Sequence, residues 1–289
     1  MEPENKKKKR IPLGHVLVLL AAGAVFCYSG SHLLTYFLDN HNNLKDQQEL
    51  IDQAVVVLPP QTEEVQSQET EAMIEATGAT EEATVPTEVF VEMAPIYVDF
   101  ESLQEQNPDI VGWIYCPDTN INYPIVQGES NQDYLYRSHT GERNSNGSIF
   151  MDFRNLRDFS DFNNIIYGHN MGPNAMFGTL KQYVYQEFYE KHPTMWLLTP
   201  DKAFRLDLIA GLVTPSDSDS YEVFSYIEDL HDRMEYTISQ SNFDAGEIDV
   251  AGIKQVVTLS TCSYEYATAR YVVIGSMVEV GYPEPPETE

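Results

Sequence analysis

Three side chains in this sequence have the types needed for covalent chemistry at a carbonyl: a thiol, an imidazole and a guanidinium. Cys262 ends the run "QVVTLSTC", Arg270 lies eight residues on in "ARYVVIG", and His169 follows "NNIIYG". A thiolate is a nucleophile, and a neighbouring cation lowers the pKa of the thiol that must ionise. A guanidinium can also hold the oxyanion that forms when a carbonyl is attacked. Such a thiol needs a proton partner, which an imidazole supplies.

Each residue taken alone has a plainer explanation. A cysteine after Val-Thr-Leu is commonly a small core hydrophobe, a histidine in a glycine turn is commonly structural, and an arginine at a strand start commonly makes a surface ion pair. Their joint placement carries the reading. Of the seven histidines, His15 and His32 fall in an apolar run, His41 lies just beyond it, and His139, His192 and His231 sit in polar segments. Only His169 ends a short apolar strand, and strand ends that feed loops are where catalytic groups collect. Ser260 shares a strand face with Cys262 by period-two alternation, and is expected to satisfy a neighbouring carbonyl or to help bind peptide backbone.

The elements that must position these groups are short strands. "IVGWIY", "INYPIVQ", "GSIFMDF", "NNIIYGH", "MWLLTP", "FRLDLIAGLVTP", "QVVTLSTC" and "RYVVIGSMVEV" are rich in β-branched and aromatic residues, most bounded by Gly, Pro, Asn or Asp. If the strands of Cys262 and Arg270 are antiparallel neighbours joined by "SYEYAT", the two side chains share one rim. Helical patterns appear over "DFESLQEQ", stopped near Asn107-Pro108, over "AMFGTLKQYVYQEFYEKH", and over "IEDLHDRMEYTISQ", where Ile227, Leu230, Met234 and Ile238 share a face. Many strands with few helices predict a closed or nearly closed antiparallel barrel.

The chain of 289 residues carries 17 Lys+Arg against 45 Asp+Glu, a formal charge of −28, which argues against nucleic acid as a partner. Lys6 to Arg10 form a basic cluster, and Ile11 to Leu38 contain no Asp, Glu, Lys or Arg. Such a run can cross a membrane with its basic flank in the cytoplasm. A cleaved signal peptide is the competing reading, disfavoured by the length of the run and the lack of a small-x-small cleavage site. Residues 39–95 read as a stalk followed by an acidic spacer rich in Glu, Thr, Ala and Gln, a composition that cannot bury enough apolar surface to order itself.

There is no HExxH, paired CxxC or EF-hand loop, and no glycine-rich phosphate loop, so no cofactor or metal is expected. "SDSDS", Ser216 to Ser220, reads as a solvated acidic loop rather than a calcium site. Of three cysteines, Cys27 lies in the apolar run, which leaves Cys116 and Cys262 as the one possible exported pair. Cys116 reads as a buried free thiol, with a Cys116–Cys262 disulfide left open.

"TLSTC" with Arg270 eight residues on, preceded by "YGHN", resembles the sortase family of Gram-positive surface transpeptidases. "NPDIVGWIY", "INYPIVQ", "GSIFMDFRN", "NIIYGHNM" and "ISQSNFD" resemble its class B members in particular. The resemblance covers about Phe100 to Glu279. It implies a mostly β fold: an eight-stranded sortase-type barrel with N-terminal helices and an extra helix before the catalytic strand. His169, Cys262 and Arg270 match the family's catalytic positions.

The expected organisation is a cytoplasmic basic tail at 1–10, a transmembrane anchor at 11–38, stalk and disordered acidic linker at 39–95, catalytic domain at 96–283 and a C-terminal tail at 284–289. The resemblance also implies the reaction. A C-terminal LPXTG- or NPXTN-like motif of a secreted protein would be cleaved through a thioacyl intermediate on Cys262 and transferred to an amine of peptidoglycan or its lipid-linked precursor. Competing readings are a pilin-polymerising enzyme of the same family, a cell-surface cysteine peptidase or hydrolase, and an anchored adhesin with an inert thiol. The papain-type "CGSCW" and caspase-type "QAC" contexts are absent.

Overall fold

A computed structural model describes residues 13–58, 62–65, 89–172, 175–262 and 267–285. The basic cluster Lys6–Arg10, most of the acidic spacer, the loop residues 263–266 and the extreme C-terminus lie outside these. The chain divides into two compact units, Met1–Asp46 and Gln47–Glu289.

The first unit contributes most of helix α1, Leu13–Ala54. Its window Val18–Thr35 has a mean hydropathy of 1.5 and none of it is buried. By length and composition it suffices to cross a membrane.

In the second unit eight strands close into a barrel: β1 (Ile110–Tyr115), β2 (Asn122–Val126), β3 (Ile149–Met151), β4 (Asn163–Tyr167), β5 (Thr194–Leu198), β6 (Ala203–Pro215), β7 (Val256–Cys262) and β8 (Ala269–Val280). Around the barrel their order is β6-β8-β7-β4-β3-β2-β1-β5. All eight strand patterns of the sequence are present. The expected antiparallel arrangement is corrected in two places, since β2 runs parallel to β3 and β4 parallel to β7. Local patterning cannot distinguish these cases, because strand direction is set by the connections between strands. Pro124 is tolerated in β2 because the pairing with β3 begins only at Ile125, so no ladder bond to β3 is asked of it.

Alternation along the strands separates two layers. Ile114, Ile125, Ile166, Leu197, Leu206, Leu259 and Val273 fill the barrel interior. Trp113, Phe150, Trp196 and Leu198 face outward and are covered by Leu50 and Ala54 from the end of α1 and by Phe100 and Leu103 from α2, Phe100–Gln106. The Asp99 carboxylate caps α2 by accepting from Ser102 N at 3.0 Å, and Asn107-Pro108 ends it. Strand Val55–Val57 pairs with Ile96–Val98 beside this layer.

Within the expected spacer, Thr62–Val65 pairs antiparallel with Val89–Glu92. Glu92 O then accepts from Gly281 N at 2.8 Å, and Glu92 pairs with Arg205 of β6. The "AMFGTLKQYVYQEFYEKH" pattern becomes a 3-10 turn, Phe177–Val184, followed by α3, Gln186–Lys191. Helix α4, Ile227–Ser239, buries Leu230 and Met234 against Ile209, Val256 and Ile274, with Ile227 and Ile238 half-buried beside them. This is the face the sequence predicts.

Candidate active site

Strand direction decides which ends meet. Because β4 and β7 are parallel, their C-terminal ends reach the same rim, and the antiparallel β8 begins there. Cys262 of β7 and Arg270 of β8 are direct cross-strand partners, a relation that puts both side chains on one face about 5 Å apart at Cβ. The β7–β4 register ends with Ser260 opposite Tyr167, two residues short of Cys262 on one strand and of His169 on the other. Gly168 N donates to Ser260 O at 3.0 Å, and Asn170 Nδ2 donates to Cys262 O at 2.8 Å. The histidine loop is thereby fastened to the end of the cysteine strand.

All three candidate residues line one open cleft of about 400 Å³. Since Val257 and Leu259 point into the barrel, Ser260 and Cys262 point out, and the cleft lies on the outer wall at the rim. Phe150, Tyr167 and Tyr221 supply aromatic surface, Asn131 and Gln132 supply amides, and Leu135 closes one side. Among the described lining residues Arg270 is the one formally charged side chain of the Lys, Arg, Asp and Glu types. The cleft therefore suits a short uncharged segment whose carbonyl meets a guanidinium.

Cys262 is partly exposed and free. Arg270 Nη1 donates to Ala269 O at 3.0 Å, and among the described residues the guanidinium pairs with no carboxylate. His169 Nε2 lies 2.9 Å from Leu135 O. A carbonyl can only accept, so this contact places the proton on Nε2, and among the described residues Nδ1 has no hydrogen-bond partner. The Tyr136 ring packs against the imidazole at 6.0 Å between centroids.

Cys116 is a buried free thiol, as expected, and the disulfide left open does not form. Its Sγ lies 3.8 Å from Tyr183 Oη and 3.9 Å from Thr194 O. Burial pushes this thiol up from its ordinary value, with the Thr119 and Tyr183 hydrogen bonds opposing.

Two sequence expectations need correction. Among the described residues the Ser260 hydroxyl pairs with Tyr221 Oη at 2.8 Å rather than with a carbonyl. The Ser216–Ser220 segment is not simply a solvated loop, since Ser216 borders the cleft, Ser220 is buried and Asp219 pairs with Arg233. Among the described residues no group of His, Cys, Asp and Glu is arranged to hold a metal ion.

Sequence reasoning missed Asn131, Tyr167 and Tyr221 as lining residues, and Asp152 and Arg154 behind them. "MDFRN" was legible as a family resemblance, while the Asp-x-Arg spacing within it was the overlooked chemical signal.

A model of the sortase family, described as the sortase domain, matches residues 114–278, more than half of the chain. Sortase B of Staphylococcus aureus is 36% identical over 184 residues, which are 63% of this chain and 75% of that protein. The structure of a Staphylococcus aureus sortase B–substrate complex superposes with a TM-score of 0.58 at 35% identity, covering 62% of this chain and 84% of that one. The structure of sortase B from B. anthracis in complex with AAEK1 gives a TM-score of 0.63 at 31% identity, covering 84% and 99%.

Proposed function

The chain belongs to the sortase family of cysteine transpeptidases, and from that membership we propose that Cys262, His169 and Arg270 carry out a class B sorting reaction at the cell surface. The observation that carries this reading is the convergence of the three side chains on one cleft, from segments as far apart as β4 and β8.

The Cys262 thiolate attacks the carbonyl carbon of the threonine in an LPXTG- or NPXTN-like motif. Arg270 donates to the oxyanion of the tetrahedral intermediate. As the C–N bond breaks, His169 as imidazolium gives its proton to the departing amine, leaving a thioester on Cys262. An amine of peptidoglycan or its lipid-linked precursor then attacks the thioester. His169 takes a proton from that amine, the C–S bond breaks, and the new amide leaves with the thiolate restored.

A partly exposed thiol in a cleft is not the inert core residue that an adhesin would need. The apolar helix window Val18–Thr35 supports single-pass anchoring with residues 1–10 in the cytoplasm and the domain outside. The acidic linker would then give the domain reach along the membrane.

The test is product analysis with a motif peptide, with and without a peptidoglycan-type amine. We expect an amide product whose yield rises with amine concentration. Hydrolysis indifferent to added amine would contradict the transpeptidase reading.

A further inference from the structure

We propose that Asp152 is a positioning residue of the cleft: its buried carboxylate fixes, directly or through Arg154, three walls that receive the peptide. The assignment rests on the function proposed above and goes beyond the three reacting groups.

Asp152 follows β3 and is fully buried. Its Oδ1 accepts from Arg154 N at 3.0 Å and Arg154 Nε at 2.8 Å. Its Oδ2 accepts from Arg154 Nη2 at 2.8 Å, Asn131 Nδ2 at 3.0 Å and Tyr167 Oη at 2.8 Å. Burial alone would raise this carboxyl, but the Arg154, Asn131 and Tyr167 hydrogen bonds outweigh it and hold the group below the usual carboxylate range. Burial, and then the Asp152 charge, push the Tyr167 phenol up, so that phenol serves as a donor.

Each partner belongs to a different wall. Asn131 comes from the loop after β2, and its Oδ1 accepts from Phe153 N at 3.0 Å. Tyr167 ends β4 two residues before His169. Arg154 Nη2 also donates to Tyr221 O at 3.0 Å, which ties down the segment before α4. The rings of Tyr167 and Tyr221 stack at 6.0 Å and 17°, and Tyr221 Oη reaches Ser260, on the same strand face as Cys262.

One carboxylate therefore sets the spacing of Asn131, Tyr167 and Tyr221, all of which line the cleft. Neither oxygen has a hydrogen bond to Cys262, His169 or Arg270 among the described residues. Disturbing Asp152 should thus alter how well the peptide is held while leaving the thiol's own reactivity in place. If the Asp152–Arg154 pair served stability alone, breaking it would lower the melting temperature and leave KM untouched.

The test compares the full chain with Asp152→Asn and Arg154→Gln. Three readouts are taken: kcat and KM for a motif peptide with saturating amine, the rate of Cys262 alkylation by iodoacetamide, and the thermal melt. Hydrogen bonds to a charged partner are worth enough that losing them should raise KM about tenfold in Asp152→Asn. Arg154→Gln, which keeps the Asn131 and Tyr167 bonds, should raise it less. Alkylation should stay within about twofold of wild type in both.

If Asp152→Asn does not fold, Arg154→Gln carries the test alone. A wild-type KM in the folded variants overturns the assignment, as does a fall in kcat and alkylation with KM unmoved. A wild-type chain that does not turn over the peptide overturns the function reading, and this assignment with it. A wild-type KM in the variants overturns the assignment alone.

Discussion

Two strand ends at the same rim of the barrel each present a cysteine, and only one of them is available for chemistry. β1 runs antiparallel to β2, β2 parallel to β3, β3 antiparallel to β4 and β4 parallel to β7. The C-terminal ends of β1 and β7 therefore point the same way. Cys116, just past β1, shares the inward face with Ile114, and the 3-10 turn brings Tyr183 over it. Cys262 shares the outward face with Ser260 and looks into the cleft. The parity of a residue along its strand and what covers the rim decide whether a cysteine fills the core or faces the cleft, because a shift of one residue exchanges the two faces.

Substitutions at the two cysteines and around them separate these roles. Cys262→Ala should abolish turnover of a motif peptide, whereas Cys116→Ala should retain it. Arg270→Ala removes the proposed oxyanion donor opposite Cys262 and should cost about 10²–10³ in kcat, with far-UV circular dichroism unchanged.

Gly168→Ala tests the spacing between the strand ends. A Cβ there would lie 2.5 Å from Ile149 Cδ1 and 2.6 Å from Phe177 Cγ, pushing His169 away from β7. Misplacing a catalytic group by a fraction of an ångström should lower kcat about tenfold. Cys116→Ala leaves a small void in the interior and should cost on the order of 1 kcal/mol in a denaturant titration, without change in kcat.

The mildest probe is pH. Burial keeps the Cys116 thiol protonated beyond its ordinary range. At about pH 9, where an unperturbed thiol is largely ionised, Cys116 of the folded protein should stay unlabelled by iodoacetamide while Cys262 is modified.

The legible part of this molecule is what local pattern and chemistry encode. β-branched runs bounded by Gly, Pro, Asn and Asp give all eight strands. Ile227, Leu230, Met234 and Ile238 give the inner face of α4, and Asn107-Pro108 gives the end of α2. Cys262 and Arg270 were legible through the expectation that β7 and β8 are antiparallel neighbours, His169 as the imidazole that ends a short apolar strand, and the three together through the resemblance to the sortase family. Less legible was whatever depends on distant segments meeting. The parallel pairing of β4 with β7, separated by about 90 residues, brings His169 to the cysteine. The Leu135 carbonyl that holds the imidazole is a backbone group and carries no sequence signal. Tyr221, the partner of Ser260, comes from a loop whose acidic composition suggested only solvent.

The most direct test of the account is to locate the acyl group. The full chain is incubated briefly with a motif peptide and no acceptor amine, quenched in acid, digested and mapped by mass spectrometry. The account predicts the acyl fragment on the peptide containing Cys262, lost on adding amine, with Cys116 unmodified. An adduct on Cys116 or elsewhere, or amide product formed by Cys262→Ala, would contradict it.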